Sequence, residues 1–230
     1  MGQNELQSGL NRWGNVTSAS ARIMRKLKPA FLDAFAISAG GGWPQRSVRR
    51  LSEFLIVDTL APRKYRSVQR AEARRALQRS NDDGRAAALW QLATMIEKDS
   101  DWKQLGAPFF RDVWPKEEGF QTAETTQRMI HLVERSGDNF PDAVKLVLSF
   151  VRPLDRLSFL ALRSQKEGDS ESPAARFPNE TLALLDRGIS DHPALPPYDL
   201  AKTLDLIVDA APELRQDLRW IRLNELIRPR

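Results

Sequence analysis

Apolar residues recur along most of this chain at three- and four-residue intervals, the spacing of one face of a helix, and no stretch alternates as a strand would. The densest such region runs from Ala107 to Leu154 and predicts three helices in series. Two aromatic–proline pairs, Trp114–Pro115 and Phe140–Pro141, divide it, each proline standing where a helix or turn can begin without the missing N–H. Between Phe140 and Val151 almost every residue is apolar, which predicts an inner helix buried on most sides.

Residues 1–17 show no periodicity and read as a loose lead-in. Residues 18–37 carry Ile23, Leu27, Phe31 and Phe35 on one stripe and stop at Gly40–Gly41–Gly42. Residues 44–60 and a weaker, arginine-rich segment at 67–78 follow. Asn81–Asp82–Asp83 caps a helix with Ala86, Leu89, Trp90, Ala93 and Ile96 on its apolar side. A short start at Trp102 and Leu105 is broken by Gly106 and resumes at Pro108 through Phe109, Phe110 and Val113. The helix at 122–135 turns Ala123, Met129, Ile130 and Val133 inward and ends at Ser136–Gly137. Another is expected after Pro153, with Leu154, Leu157 and Leu160, ending near Ser164, and 165–175 reads as an exposed loop. Phe177–Pro178 opens a helix that closes at Gly188; the proline-rich DHPALPPYD connects it to helices at 199–209 and 212–227, the latter with Leu214, Leu218, Trp220 and Ile221 as its apolar side. The reading is all-α, with about eleven helices and no sheet. Residues 18–100 form a basic N-terminal helical half, and 101–230 a C-terminal half continuous with it.

An apolar residue followed by proline opens helices at 43–44, 114–115, 140–141, 177–178 and 211–212. The later spacings of 26, 37 and 34 residues each match one helical hairpin, and the first, 71, nearly two. Repeats of helix pairs run at about 34–47 residues, so the pattern predicts a short, irregular α-solenoid.

Composition narrows the chemistry more than it names it. The 230 residues are 41% hydrophobic and 28% charged, enough for a real core. With no cysteine there is no disulfide, thiolate nucleophile or Cys-based zinc site. No apolar run reaches the roughly 20 residues of a membrane span, and the first residues lack a secretory pattern, so the chain reads as cytoplasmic, without membrane contact. The start MGQNEL has Leu6 where a myristoylation site needs Ser or Thr. His131 and His192 have no second ligand at metal spacing, and neither a phosphate-binding glycine motif nor a nucleophile elbow occurs. Paired acids at Asp82–Asp83 and Glu117–Glu118 sit at helix starts, where capping explains them. Trp90, Trp102, Trp114 and Trp220 read as core. Neither cofactor nor metal is expected, and no enzymatic activity.

The net charge of +5 is unevenly spread: residues 1–100 hold 17 basic against 9 acidic side chains, and 45–79 hold ten against three. Within that segment Arg66, Arg70 and Arg74 stand at i, i+4 and i+8 on one helix face, with Arg75 and Arg79 beside them. Such a line can track phosphates. Only Tyr65 offers an aromatic neighbour and Glu72 offsets part of the charge, so a solvated or inter-helix salt-bridged face is the first reading and a nucleic-acid contact the second.

The phrases PFFRDVWPKE, SGDNFPDAVKLVLSFVRPLD and PPYDLAKTLDLIVDAAPELRQDLRWIRLNELIR, with ALQRSNDDGRAAALWQLATMI before them, resemble the C-terminal helical region of large bacterial sirtuin-like and related defence-associated proteins. The likeness spans about residues 70–228 and rests on signature phrases, not on a catalytic motif. In those proteins nucleotide chemistry belongs to a separate N-terminal domain, and the helical region serves as scaffold or sensor. The resemblance therefore implies a non-catalytic, protein-binding helical repeat module in an anti-phage defence assembly, its partner another protein or the remainder of a larger one. The alternative is a helical domain that contacts nucleic acid through residues 45–79.

Overall fold

The computed structural model describes residues 66–99, 102–156 and 172–227. Among the described residues there are nine α-helices and no strand. They are α1 (Arg66–Arg79), α2 (Asp82–Asp99), α3 (Ala107–Asp112), α4 (Ala123–Glu134), α5 (Phe140–Val147), α6 (Pro173–Arg176), α7 (Pro178–Gly188), α8 (Leu200–Ala210) and α9 (Leu218–Leu226). The helices expected at 18–37 and 44–60 lie outside the described residues, as does the lead-in at 1–17. The extended contact is one isolated parallel bridge, in which Leu154 N–H donates to Gly188 O at 2.9 Å and Ser190 N–H to Leu154 O at 3.2 Å.

Local chemistry explains most of the boundaries. Asn81 Oδ1 accepts from the Gly84 N–H at 3.0 Å and starts α2. Thr122 and Thr125 satisfy each other's backbone N–H groups in a capping box at the start of α4. Gly137, at φ 56°, takes the left-handed turn that carries the chain from α4 towards α5. Between α2 and α3, Trp102–Gly106 forms a π-helical turn. A Cβ built on Gly106 would lie 2.3 Å from the Trp102 ring, so this turn is open only to glycine.

The α1–α2 corner is pinned by Arg85, which is 7% exposed. Its guanidinium donates to Leu77 O at 3.2 Å and Ser80 O at 2.5 Å, both near the C-terminal end of α1, and to Asp82 Oδ1 at 2.5 Å, and it lies 5.0 Å from the Phe120 ring centroid. Cations at a helix C-terminus meet its unsatisfied carbonyls, so this arginine closes one helix while starting on the next.

One apolar core runs through the helices from α1 to α9. Helix α2 packs along α4, α4 against α5, α5 against α7, and α7 against both α8 and α9. Its densest part is aromatic: Trp102, Phe109, Phe110, Trp114 and Phe150 are all buried, with Phe110 5.6–6.2 Å from the other four ring centroids.

Several expectations are corrected. Trp90 is 39% exposed and is not core; Trp220 is half-buried. The helix at 140 ends at Val147, and Asp142, Lys145 and Ser149 face solvent, because its polar residues recur on one side. Leu154 starts no helix; it is extended in the bridge to Ile189, and 157–164 lie outside the described residues. The end of the expected 165–175 loop is helix α6, where Ser172 and Ala174 are buried and Ser172 Oγ accepts from the Ala175 N–H. Trp114–Pro115 opens no helix. Ala123 is exposed. The last helix is broken at Asp217 into a 3₁₀ turn (Pro212–Gln216) and α9, which buries Leu223 and leaves Leu218 82% exposed.

Candidate functional site

The arginines of α1 divide into two kinds. Arg70 pairs with the Asp112 carboxylate, and Arg74 donates to the Asp112 backbone oxygen at 2.7 Å, so both reach the C-terminal end of α3. Asp112 thus receives two guanidinium groups from one face of α1, the i, i+4 arrangement that the sequence placed there. Arg75 and Arg79 are exposed, and Arg79 is also engaged in a contact. Arg66 is the first residue of the helix, and its side chain lies outside the description. The five residues are therefore not one open line: its middle members tie α1 to α3. Residues 45–65 of the basic segment lie outside the described residues.

A different surface is assembled from α2 and α4. The exposed indole of Trp90 has the Arg128 guanidinium 5.3 Å and the Arg135 guanidinium 5.4 Å from its ring. Arg128 is also held by Glu124 at 2.9 Å and Arg135 by Glu97, which fixes both cations beside the ring. Arg128 and Arg135 are seven residues apart, the first within α4 and the second at its C-terminal cap, and both reach the same ring. Sequence reasoning missed this group because Trp90 was assigned to the apolar stripe of Leu89 and Ala93; the i, i+7 arginine pair was the available signal. An exposed aromatic–cation stack held in this way presents a flat, amphipathic patch.

Towards the C-terminal end, Leu195 and Tyr198 of the connector and Leu218 and Ile221 of α9 are exposed, Tyr198 at 95%. Helix α9 is held by polar clamps. Arg222 donates to Asp186 Oδ1 at 2.8 Å, Asp186 O at 2.7 Å and Asp191 Oδ1 at 2.8 Å. Asp217 caps α9 by accepting from the Arg219 N–H at 2.8 Å and binds the Arg219 guanidinium at 2.7 Å. Hydrogen bonding from the Arg219 side chain holds the Asp217 carboxyl below its ordinary value, and the same contact raises the Arg219 guanidinium.

Among the described residues no group of three or more His, Cys, Asp and Glu side chains is placed to hold a metal ion, and no helix is long and apolar enough to cross a membrane. His131 is half-buried on α4 with its Nε2 2.9 Å from Gln127 Nε2, and His192 is exposed in the connector.

These features define a helical module with aromatic and arginine-rich surfaces. It is similar to uncharacterized protein y4cA of Sinorhizobium fredii (strain NBRC 101917 / NGR234), at 26% identity over 171 residues. The match takes in 72% of this chain but 14% of that much longer relative. No family model matches the chain, and no solved structure matches it.

Proposed function

We propose that this chain is a non-catalytic α-helical repeat scaffold or sensing module, cytoplasmic, which binds a protein partner within a bacterial anti-phage defence assembly. The observation that carries the reading is the Trp90–Arg128–Arg135 patch. Tryptophan and arginine are the residues most often found to dominate protein interfaces, and here they are fixed in place before any partner arrives. Two further points agree with it. The chain matches a small part of a far longer bacterial protein, as a module does, and most successive helices of its C-terminal part pack as neighbours, α4 on α5, α6 on α7, α7 on α8 and α8 on α9. The defence setting rests on the resemblance of the signature phrases.

Nucleic-acid binding through α1 is the weaker reading, because Arg70 and Arg74 are already committed to Asp112. The decisive experiment uses the whole chain as bait in a native lysate, with Trp90→Ala and Arg135→Ala as paired baits. A specific protein partner should survive about 0.3 M salt, where exposed charge pairs are largely screened, and be lost from both variants. Affinity for DNA or RNA should stay in the non-specific range of about 10⁻⁴–10⁻⁶ M. Submicromolar nucleic-acid binding that Arg75→Glu and Arg79→Glu abolish, with no protein partner, would replace this reading. Unchanged phage sensitivity after deletion of the gene would remove the defence setting.

A further inference from the structure

Cations at the helix contacts of this molecule hold carboxylates, as Arg85, Arg135 and Arg222 do. Three others behave differently. Lys103 of the π-turn, Arg111 of α3 and Lys145 of α5 converge on one cleft of about 540 Å³. All three are exposed, and none has an ion-pair partner among the described residues. Leu146 supplies half-exposed apolar wall over a floor of buried Trp102 and Ala107, and Asp142, one turn before Lys145, is the single carboxylate of the lining. Three positive charges against one negative therefore share a concave space between the π-turn, α3 and α5.

We propose that this cleft binds a small phosphate-bearing organic ligand of nucleotide size. Like charges brought together in a concavity repel one another and focus a positive potential there, which a polyvalent anion relieves. The Arg111 guanidinium offers a planar fork to two phosphate oxygens, and the two ammonium groups add point charges on either side. Asp142 offers an acceptor to a hydroxyl or amino group on the organic part, and the apolar wall covers its remainder. The volume falls within the roughly 300–1,000 Å³ of small-ligand sites.

The surroundings favour a compact ligand over a strand. A second cleft, of about 460 Å³, also contains three cations, Lys116, Arg152 and Arg187. There Arg152 is paired with Glu118 at 3.3 Å and Arg187 donates to Val151 O at 3.0 Å, which leaves Lys116 alone. On α1, Arg70 and Arg74 are held by Asp112. Of these three places, the first cleft holds the largest group of cations without an ion-pair partner.

The test is calorimetric titration of the full chain with adenosine 5′-triphosphate, inorganic pyrophosphate and a single-stranded oligonucleotide of about 20 residues. One-to-one binding of the triphosphate is expected, with pyrophosphate weaker because it leaves the apolar wall and Asp142 unused. Arg111→Gln should weaken binding at least about tenfold, and the Lys103→Gln, Arg111→Gln, Lys145→Gln triple variant should abolish it. Arg111→Lys should keep part of the affinity, and Arg215→Gln, an exposed arginine outside the cleft, should keep all of it. Since the three side chains are exposed, the variants should melt as the parent does, and this is checked by circular dichroism. Absence of binding by either phosphate compound at about 5 mM would overturn the proposal, as would equal loss in Arg215→Gln. Tighter binding of the oligonucleotide with the same three-residue dependence would also overturn it, in favour of a nucleic-acid groove.

Discussion

The segment around α3 and the helix α9 are both short and both join the same core, yet they are held by opposite means. Around α3, five aromatic side chains are buried against one another, and Phe110 touches the other four rings. On α9, Leu223 is buried while Leu218 and Ile221 face solvent, and the helix is fastened through Arg219 and Arg222 to Asp217, Asp186 and Asp191. Apolar packing is indifferent to salt and acid but intolerant of shape change. Ionic clamps tolerate shape change but answer to salt and pH. The first region should therefore fail with the whole fold, and the second should be able to let go by itself.

The largest effect that separates them is truncation in the aromatic cluster. Phe110→Ala should cost about 3–5 kcal/mol in chemical denaturation, with all helices lost together. If α9 alone were lost, the two regions would not differ as described. Next comes Gly106→Ala, where the added methyl meets the Trp102 ring and should cost about 1–3 kcal/mol, with a change in tryptophan emission as the ring is displaced. Unaltered stability would mean that the π-turn is not a tight fit.

Smaller still is Arg222→Ala. Its hydrogen bonds are to charged and carbonyl oxygens but are partly solvent-screened, so about 1–2 kcal/mol is expected, read as faster amide exchange confined to α9. Added salt should produce a milder version of the same effect. The smallest is the pH response of Asp217. Its folded carboxyl titrates below the ordinary value of 3.8, so the stability it adds is complete above that pH and is lost as the pH falls through the lower folded value. Exchange in α9 should accelerate in that acid window in the parent and be flat there in Asp217→Asn.

The same contrast accounts for what the sequence could and could not convey. Periodic apolar spacing marked α2, α4, α7 and α8 with nearly their observed bounds, because each buries one continuous stripe. It also placed Phe140 in a buried helix, and the ring is 1% exposed and stacks on Phe177 at the head of α7. It failed on α9, where Leu218 and Ile221 have helix spacing yet are exposed, and where the helix starts only at its Asp217 cap. Leu154 was misjudged since its partner, Ile189, is 35 residues away and extended pairing leaves no local signature. Among the candidate residues, spacing placed Arg70 and Arg74 together correctly, but only tertiary structure supplies Asp112 as their target. Trp90 was assigned inward because a helical stripe has edges, and a tryptophan at the edge is indistinguishable from core until α4 is in place. Convergence of Lys103, Arg111 and Lys145 from three elements was beyond any local pattern.

Arg85 gives the α1–α2 corner a mechanical property. A single planar group grips two carbonyls at the end of one helix, a carboxylate at the start of the next and the face of Phe120 beyond them. Bending the corner would strain several of these contacts at once, so the two helices turn as one stiff lever whose far arm is tied through Arg70 to α3. A load applied to α1 is then transmitted to the aromatic cluster rather than absorbed at the joint. Lysine, with one rotatable point charge, would leave that joint slack.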